Sequence, residues 1–340
     1  MSGKIRLSKS SISQAEKDAV VKVLDKEYLG MGDEVRLFEE KIKNYLGTSM
    51  DVVCVSTGTS ALHLALSALG LKDGDEVLVP SLTYIASYQA ISATGAKPIS
   101  CEINSNTLFL DADDAKAKIT KNTKVIMPVH YASNSKGMDK VYELAQEFGL
   151  RVVEDAAQAF GSKRDGKLVG TQGDIICFSF DGIKNITSGE GGAILSSDKE
   201  FIQKVQDGRL LGVEKDTQMR YSGQRSWDFD VKEQGFRYHM SNIMAAIGMV
   251  QVDRLEDFKV KRQNIAKRYC KTLNDIEQIE LLNFNFDEVL PHIFVIKAQK
   301  RDELREYLIA NKIECGIHYK PNHLHTKYKS NLNLILTEQI

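Results

Sequence analysis

Phe178-Ser179-Phe180-Asp181-Gly182-Ile183-Lys184-Asn185-Ile186-Thr187-Ser188-Gly189-Glu190-Gly191-Gly192 is the stretch on which the reading of this chain turns. A short apolar strand, Ile175 to Phe180, runs into a polar turn holding one lysine, and a glycine-rich stretch then leads to a second strand, Ala193 to Ser196. A near-continuous apolar run of this length is what a strand buried on both faces looks like, as in a parallel sheet covered by helices. A lysine amine at the end of such a strand can condense with an aldehyde, and pyridoxal phosphate is the usual partner. A solvated loop lysine is the competing explanation.

Outward from this segment the same alternation continues. Strands are expected at Asp51 to Val55, Glu76 to Val79, Lys97 to Cys101, Lys124 to Val129 and Arg151 to Glu154, with helical patterns between them. Ser60 to Leu69 is one helix; Met138, Val141, Leu144, Ala145 and Phe148 mark another, closed by Gly149 as a C-cap. The expected class is α/β: a three-layer α/β/α large domain with a mostly parallel seven-stranded sheet, plus a small C-terminal α+β domain. Two amphipathic helices precede the sheet. Ser13 and Glu16 make a capping box ahead of Ala19, Val20, Val23 and Leu24, and Val35, Phe38, Ile42 and Tyr45 form the second stripe. A single long helix is expected over Ile243 to Leu273, then a strand at His292 to Ala298 and a helix at Asp302 to Asn311. The division expected is a large cofactor-binding unit over 1–250 and a small unit over 251–340.

Composition excludes several partners. The chain has 340 residues, 42% hydrophobic and 27% charged, with a formal net charge of -1, which gives no reason to expect nucleic acid or a membrane surface. Five cysteines are scattered and never form a CxxC pair, so they read as reduced thiols in a cytoplasmic protein. Met1 to Ser13 is polar, without the apolar core of a signal peptide. No residue set is read as a metal site.

Three further sites accompany Lys184. In Ser56-Thr57-Gly58-Thr59-Ser60 a strand ends, a glycine turns and a helix begins, which makes an anion site with Thr59 and Ser60 as hydroxyl donors, or an ordinary N-cap. Tyr84, just past a strand end, can stack on a planar ring or simply sit at the surface. In Val152-Val153-Glu154-Asp155-Ala156-Ala157-Gln158, a carboxylate at the strand end can accept the N–H of a pyridinium ring, with Gln158 in reach of the ring's phenolic oxygen; capping of the next helix is the alternative for Asp155. All lie at the carboxyl ends of strands, where open α/β sheets bind ligands.

The segments STGTSALHLAL, PSLTY, VVEDAAQAFG and FSFDGIKNITSGEGG resemble the sugar aminotransferases of the DegT/StrS type, through nearly the whole chain. The resemblance implies the fold of aspartate aminotransferase, pyridoxal 5'-phosphate as cofactor, an amino-acid donor such as glutamate, and a nucleotide-linked keto-sugar as acceptor. It implies a homodimer with a shared active site and a role in making amino sugars for polysaccharide or O-antigen. By position it makes Lys184 the cofactor lysine, Asp155 the partner of the pyridine nitrogen and Gln158 the ring-oxygen contact. Gly58, Thr59, Ser60 and Ser179 become phosphate ligands, and Tyr84 the aromatic over the ring. His318, Tyr319 and His323 are placed near the sugar or nucleotide pocket.

The chain differs from the family pattern at Asp181, where many members carry histidine or tyrosine. In place of GYNYR, whose asparagine reaches the partner's phosphate, it has Gly235-Phe236-Arg237-Tyr238-His239, so Arg237 or His239 is expected to take that contact. The chain also stops at Ile340, before a strand containing LPL-x-P that relatives carry, so the small domain is expected to be short. Two alternatives stand beside the aminotransferase: a sugar dehydratase of the same fold, which carries histidine in place of the lysine, and a non-catalytic regulator.

Overall fold

The computed structural model describes residues 3–225 and 227–340; Met1 and Ser2, at the start of the polar segment noted above, and Ser226 lie outside the described residues. Its centre is a seven-stranded sheet in the order β1-β9-β8-β5-β4-β2-β3. The strands are β1 (Asp51–Val55), β2 (Glu76–Pro80), β3 (Lys97–Cys101), β4 (Thr123–Ile126), β5 (Arg151–Asp155), β8 (Ile175–Ser179) and β9 (Gly192–Ser196). Only β9 runs against the others, paired antiparallel to both β1 and β8. Between β5 and β8 lies a small hairpin, β6 (Lys163–Arg164) and β7 (Lys167–Leu168), turned by Asp165 and Gly166, both at positive φ as such a tight turn requires.

Strand side chains alternate between two buried faces. Val53, Val55, Val77, Val79, Val153, Ile175 and Cys177 face a layer that includes α3 (Gly58–Ala68), α4 (Ile85–Ala93) and α7 (Lys199–Gly208). On the other face Val52, Cys54, Ile176 and Phe178 meet α2 (Asp33–Leu46) and α9 (Asn242–Asp253), while Leu78, Ile126 and Val152 meet α5 (Ala112–Ala117) and α6 (Met138–Phe148). That is the expected three-layer arrangement, and Gly149 ends α6 in the left-handed region as a C-cap does. Regular pairing of β4 ends at Ile126 rather than Val129. Pro128 brings no N–H to the ladder, although the Met127 amide still bonds Leu78 and Val129 still bridges Asp155.

The N-terminal helices α1 (Gln14–Asp25) and α2 form as expected, but they are buried unequally. Val35, Phe38 and Ile42 of α2 are fully buried, whereas Val23 is the buried apolar residue of α1 and Leu24 stays exposed. The long helix expected over Ile243 to Leu273 is two helices, α9 and α10 (Leu255–Leu273), broken at Arg254. The Arg254 guanidinium is held by Ser11 and Glu16, and its backbone, at φ -93° and ψ -3°, turns away from ideal helix geometry while staying in the right-handed region. After the short helix α8 (Asp216–Tyr221) and these two, the C-terminal part holds a second sheet of β10 (Ile279–Leu281) and β11 (Ile296–Ala298), with α11 (Arg301–Ala310) and α12 (Ile335–Glu338). The strand expected from His292 is ordered only from Ile296, because the His292 amide donates to Ser133 Oγ at 3.1 Å and not to a neighbouring strand.

Two buried carboxylates tie these layers together. Glu39 on α2 accepts from Arg209 Nη1 at 2.7 Å and from the Cys54 amide at 2.8 Å, locking α2 to β1. Glu16 accepts from Ser13, Gln251 and Arg254, which fixes α1 against α9. Burial alone would push the Glu16 carboxyl up; these hydrogen bonds outweigh it and hold it at about 2. The folded value lies below the ordinary one of 4.5, so this contribution is complete above that pH and fades as pH falls toward 2. Glu16→Gln should therefore flatten the acid limb of stability: its melting temperature should drop less than that of the wild type on going from pH 5 to about pH 2.5. Parallel curves for the two proteins would exclude this anchor.

Candidate active site at the strand ends

The carboxyl ends of β1, β2, β5 and β8 open onto one region. At β1, Thr57 caps α3: its Oγ1 accepts from the Ser60 amide at 2.9 Å, and Ser60 Oγ accepts from the Thr57 amide at 2.9 Å. Ser60 is buried and its hydroxyl is engaged in this box, while Thr59 is exposed. The amides of Gly58 and Thr59, first in the helix, have no intrahelical partner and face outward at its positive end. Ser179, at the end of β8, is brought directly against this turn. A Cβ added at Gly58 would lie 2.6 Å from Ser179 Cβ, and one at Gly192 would lie 2.4 Å from the Thr57 carbonyl oxygen. Both glycines are needed because two strand ends approach across the start of β9.

Strand alternation separates the two acids of β5. Asp155 shares a face with Val153 and points to the site; its Oδ2 accepts from Ser87 Oγ at 2.7 Å and its Oδ1 from the Ala157 amide at 3.2 Å. Glu154 points to the opposite face, where it is fully buried and bonded to His130 Nε2 at 2.8 Å and the Tyr142 hydroxyl at 2.6 Å. Lys184 is half-buried and forms no ion pair among the described residues. Burial lowers its pKa, and the nearby Asp155 and Asp181 offset part of that effect.

The remaining candidates divide. Gln158 is buried with its amide fixed: Oε1 accepts from the Ala132 amide at 2.7 Å, and Nε2 donates to the Tyr319 hydroxyl at 3.1 Å. Tyr319 packs at 5.6 Å against Tyr84, which is largely exposed beyond β2, and burial together with Asp155 pushes its hydroxyl up to about 12. His318 precedes it, half-buried, with its pKa lowered by burial and further by Lys184. His323 is different. It is fully buried, with Nδ1 2.7 Å from Ser81 Oγ and Nε2 3.0 Å from Glu338 Oε1, so both ring nitrogens are used in holding α12 to the end of β2. Neither ring nitrogen is left to contact a ligand in the sugar or nucleotide pocket expected there.

Arg237 is exposed, and its segment runs beside the phosphate turn, with the Ser56 amide donating to the Tyr238 carbonyl at 2.7 Å. His239 is turned inward; burial and the guanidiniums of Arg237, Arg220 and Arg209 lower it to about 4, so it is neutral at neutral pH. Of the two basic side chains expected in this segment, only Arg237 is a cation there.

Ser87, His292 and Arg262 are site neighbours that no motif marked. Ser87 reaches Asp155 because α4 begins at the strand end; His292 and Arg262 come from 100 or so residues further along the chain and are placed by tertiary packing alone. The donor set suits pyridoxal phosphate: outward amides and a serine for the phosphate, a fixed carboxylate for the ring nitrogen, and an amine free of any ion pair.

A profile of the DegT/DnrJ/EryC1/StrS aminotransferase family matches residues 10–338. The chain is 38% identical over 323 residues to GDP-perosamine synthase of Escherichia coli O157:H7, covering 94% of this chain and 85% of that one. Among solved structures it is similar to the aminotransferase TlmJ from Streptoalloteichus hindustanus, with a TM-score of 0.91 and 29% identity over 98% of this chain and 90% of that one. The sugar aminotransferase Spr1654 from Streptococcus pneumoniae in its PLP form, described as putative, aligns with a TM-score of 0.87 and 29% identity over 96% and 87%.

His323→Ala should cost stability without touching the site. It strands the Ser81 hydroxyl and the Glu338 carboxylate, a loss on the order of 2–4 kcal/mol in urea unfolding. Affinity for a nucleotide-linked sugar, read by calorimetric titration at a temperature where the variant is folded, should be unchanged; weakened sugar binding would place His323 in that pocket.

Proposed function

We propose a function on this premise: the chain belongs to the DegT/DnrJ/EryC1/StrS aminotransferase family and is a pyridoxal-phosphate-dependent sugar aminotransferase. It transfers an amino group from an amino acid, glutamate in this reading, to a nucleotide-linked 4-keto-6-deoxyhexose. The product is an amino sugar for surface polysaccharide such as O-antigen, made in the cytoplasm. Among the described residues no helix is long and apolar enough to cross a membrane. The observation that carries the reading is the meeting, at one end of the sheet, of a capped helix N-terminus, a held carboxylate and a lysine without an ion pair.

When bound, pyridoxal phosphate supplies an electron sink for charge that builds at the donor's Cα. The chain's residues do the rest. Gly58, Thr59 and Ser179 offer amides and a hydroxyl to a phosphate, with the Ser60–Thr57 box holding that turn in shape. Asp155, fixed by Ser87, would accept an N–H from the pyridine ring and keep it protonated, and Tyr84 would cover the ring. Gln158, whose Nε2 donates to the Tyr319 hydroxyl, has a second N–H that would serve the ring's oxygen. Lys184, whose ammonium form burial disfavours, would take a proton from the donor's Cα and deliver it to C4′ of the bound cofactor. His318 and Tyr319 border the space left for the sugar. The division into units of 1–250 and 251–340 is supported by the separate β10–β11 sheet.

The working enzyme in this reading is a homodimer whose site is completed by Arg237 of the second subunit. Leu211 and Val231, beside the Arg237 segment, are exposed, as are Trp227 (85%) and Phe229 in the stretch leading to it, and exposed apolar side chains of this kind favour a cover. A shared interface of this kind buries on the order of 2,000 Å² or more.

Lys184→Ala should abolish amino transfer from glutamate to a nucleotide-linked 4-keto sugar while pyridoxamine phosphate still binds. Asp155→Asn should keep cofactor but lose on the order of 10²-fold in rate. Substantial turnover by the lysine variant would overturn the reaction assignment. Mixing Lys184→Ala with Arg237→Ala subunits should restore part of the activity, since one hybrid site then regains both groups. A fully active monomer in sedimentation, or an intact mixed dimer without restored activity, would exclude Arg237 as the shared contact.

A further inference from the structure

Beside Lys184 the fold gathers positive and donor groups that none of the roles above uses. Arg262, on α10, is half-buried and its Nη1 is bound to two neutral oxygens: Asn185 Oδ1 at 3.1 Å and the Pro291 carbonyl at 3.3 Å. Among the described residues it meets no carboxylate, and burial lowers its pKa with no acid to counter it. A guanidinium taken out of water without an anion is costly, and folds supply the anion or a ligand does. The two oxygens it grips belong to the neighbours of Lys184 and of His292, so Arg262 joins the lysine turn to the start of the 292–298 segment.

His292 provides the second observation. Its Nδ1 is buried and has no hydrogen-bond partner among the described residues. The ring lies among Lys184, Arg262 and His318, and its burial beside these groups keeps it neutral. A neutral imidazole carries one N–H donor. A ring nitrogen without a partner beside a guanidinium without a carboxylate suits one and the same kind of group, an oxyanion. Asn185 cannot fill it, since its amide is spent on the Gln158, Phe160 and Leu290 carbonyls and its oxygen on Arg262.

We infer that Arg262 and His292 form a carboxylate-binding subsite beside Lys184 that holds a carboxylate of the amino-acid donor. This rests on the aminotransferase reading and deepens it. A carboxylate held there leaves the donor's amine and Cα directed at the lysine turn, and the subsite accounts for selection of an amino acid over a simple amine. The keto-sugar, which carries no carboxylate in this reading, has no use for it.

The test uses glutarate, the dicarboxylate without an amine, titrated calorimetrically into the cofactor-loaded enzyme. Wild type should bind it, and Arg262→Gln should weaken binding on the order of 10- to 100-fold, the loss of one charge-assisted pair. His292→Asn should weaken it less. Arg262→Lys, which keeps the charge but loses the fork, should fall between wild type and Arg262→Gln. In the separate half-reactions the loss should concentrate in the apparent KM for glutamate, and amination of the keto-sugar by the pyridoxamine form should be far less affected. Equal glutarate binding by wild type and Arg262→Gln, or a lowered melting temperature with no change in binding, would make Arg262 a purely structural tie and overturn the inference. If Arg262→Gln does not fold, the same comparison between wild type, Arg262→Lys and His292→Asn decides it: unchanged binding in both refutes the subsite. A wild type that binds glutarate but transfers no nitrogen to any keto-sugar would fail the functional reading and leave the subsite standing.

Discussion

The site depends on how closely the ends of β1 and β8 approach each other across the first residue of β9. Gly192 passes so near the Thr57 carbonyl, and Gly58 so near Ser179, that any side chain there would force the strand ends apart. A Cβ within 3 Å of backbone or of a packed side chain cannot be absorbed in an interior at crystal-like density. With the glycines in place, the amides of the α3 turn and the Ser179 hydroxyl converge on one point. The lysine turn then begins at a fixed distance from them, because the Ser188 amide bonds back to the Phe180 carbonyl and closes it.

A second constraint is electrostatic. Parallel strands buried on both faces give successive residues opposite environments, and β5 uses this to hold two adjacent carboxylates apart. Asp155 is presented to the site with one hydroxyl and one amide holding it, and is left able to accept more. Glu154 is sealed on the far side among His130, Tyr142 and Arg164, satisfied without reference to any ligand. Arg262 shows the complementary state, a cation in a partly desolvated position with no carboxylate of the described residues against it, and Lys184, although Asp155 and Asp181 are near, forms no ion pair among them. A fold optimised for stability alone would pair them; leaving them unpaired is the kind of local cost that binding sites carry.

Much of this was legible in residue order. All seven strands, the capping box of α1 and the cap of α6 follow from periodicity and local chemistry: a strand buried on both faces is an apolar run whichever strand it pairs with, and the caps close within a few residues. The misreadings share one cause. The continuous apolar-charged pattern from Ile243 to Leu273 has no proline or glycine at Arg254, and the break there comes from a guanidinium reaching Glu16 on α1. His292 leaves its strand for Ser133, and both ring nitrogens of His323 are engaged by Ser81 and Glu338. In each case a contact distant in sequence overrode a local preference.

The sequence by itself determined the class of sheet, the order of the ligand-facing turns and the family, since apolar period, glycine spacing and the lysine segment are properties of short stretches of chain. The tertiary structure alone decided which side chains are free to act. It turned Ser60 into part of a capping box, made His239 neutral, spent His323 on a latch, set Ser87 against Asp155, and brought His292 and Arg262 beside the lysine turn. The physical reason is that hydrogen-bond satisfaction and desolvation depend on what surrounds a group in space, and no pattern along one strand or helix records that.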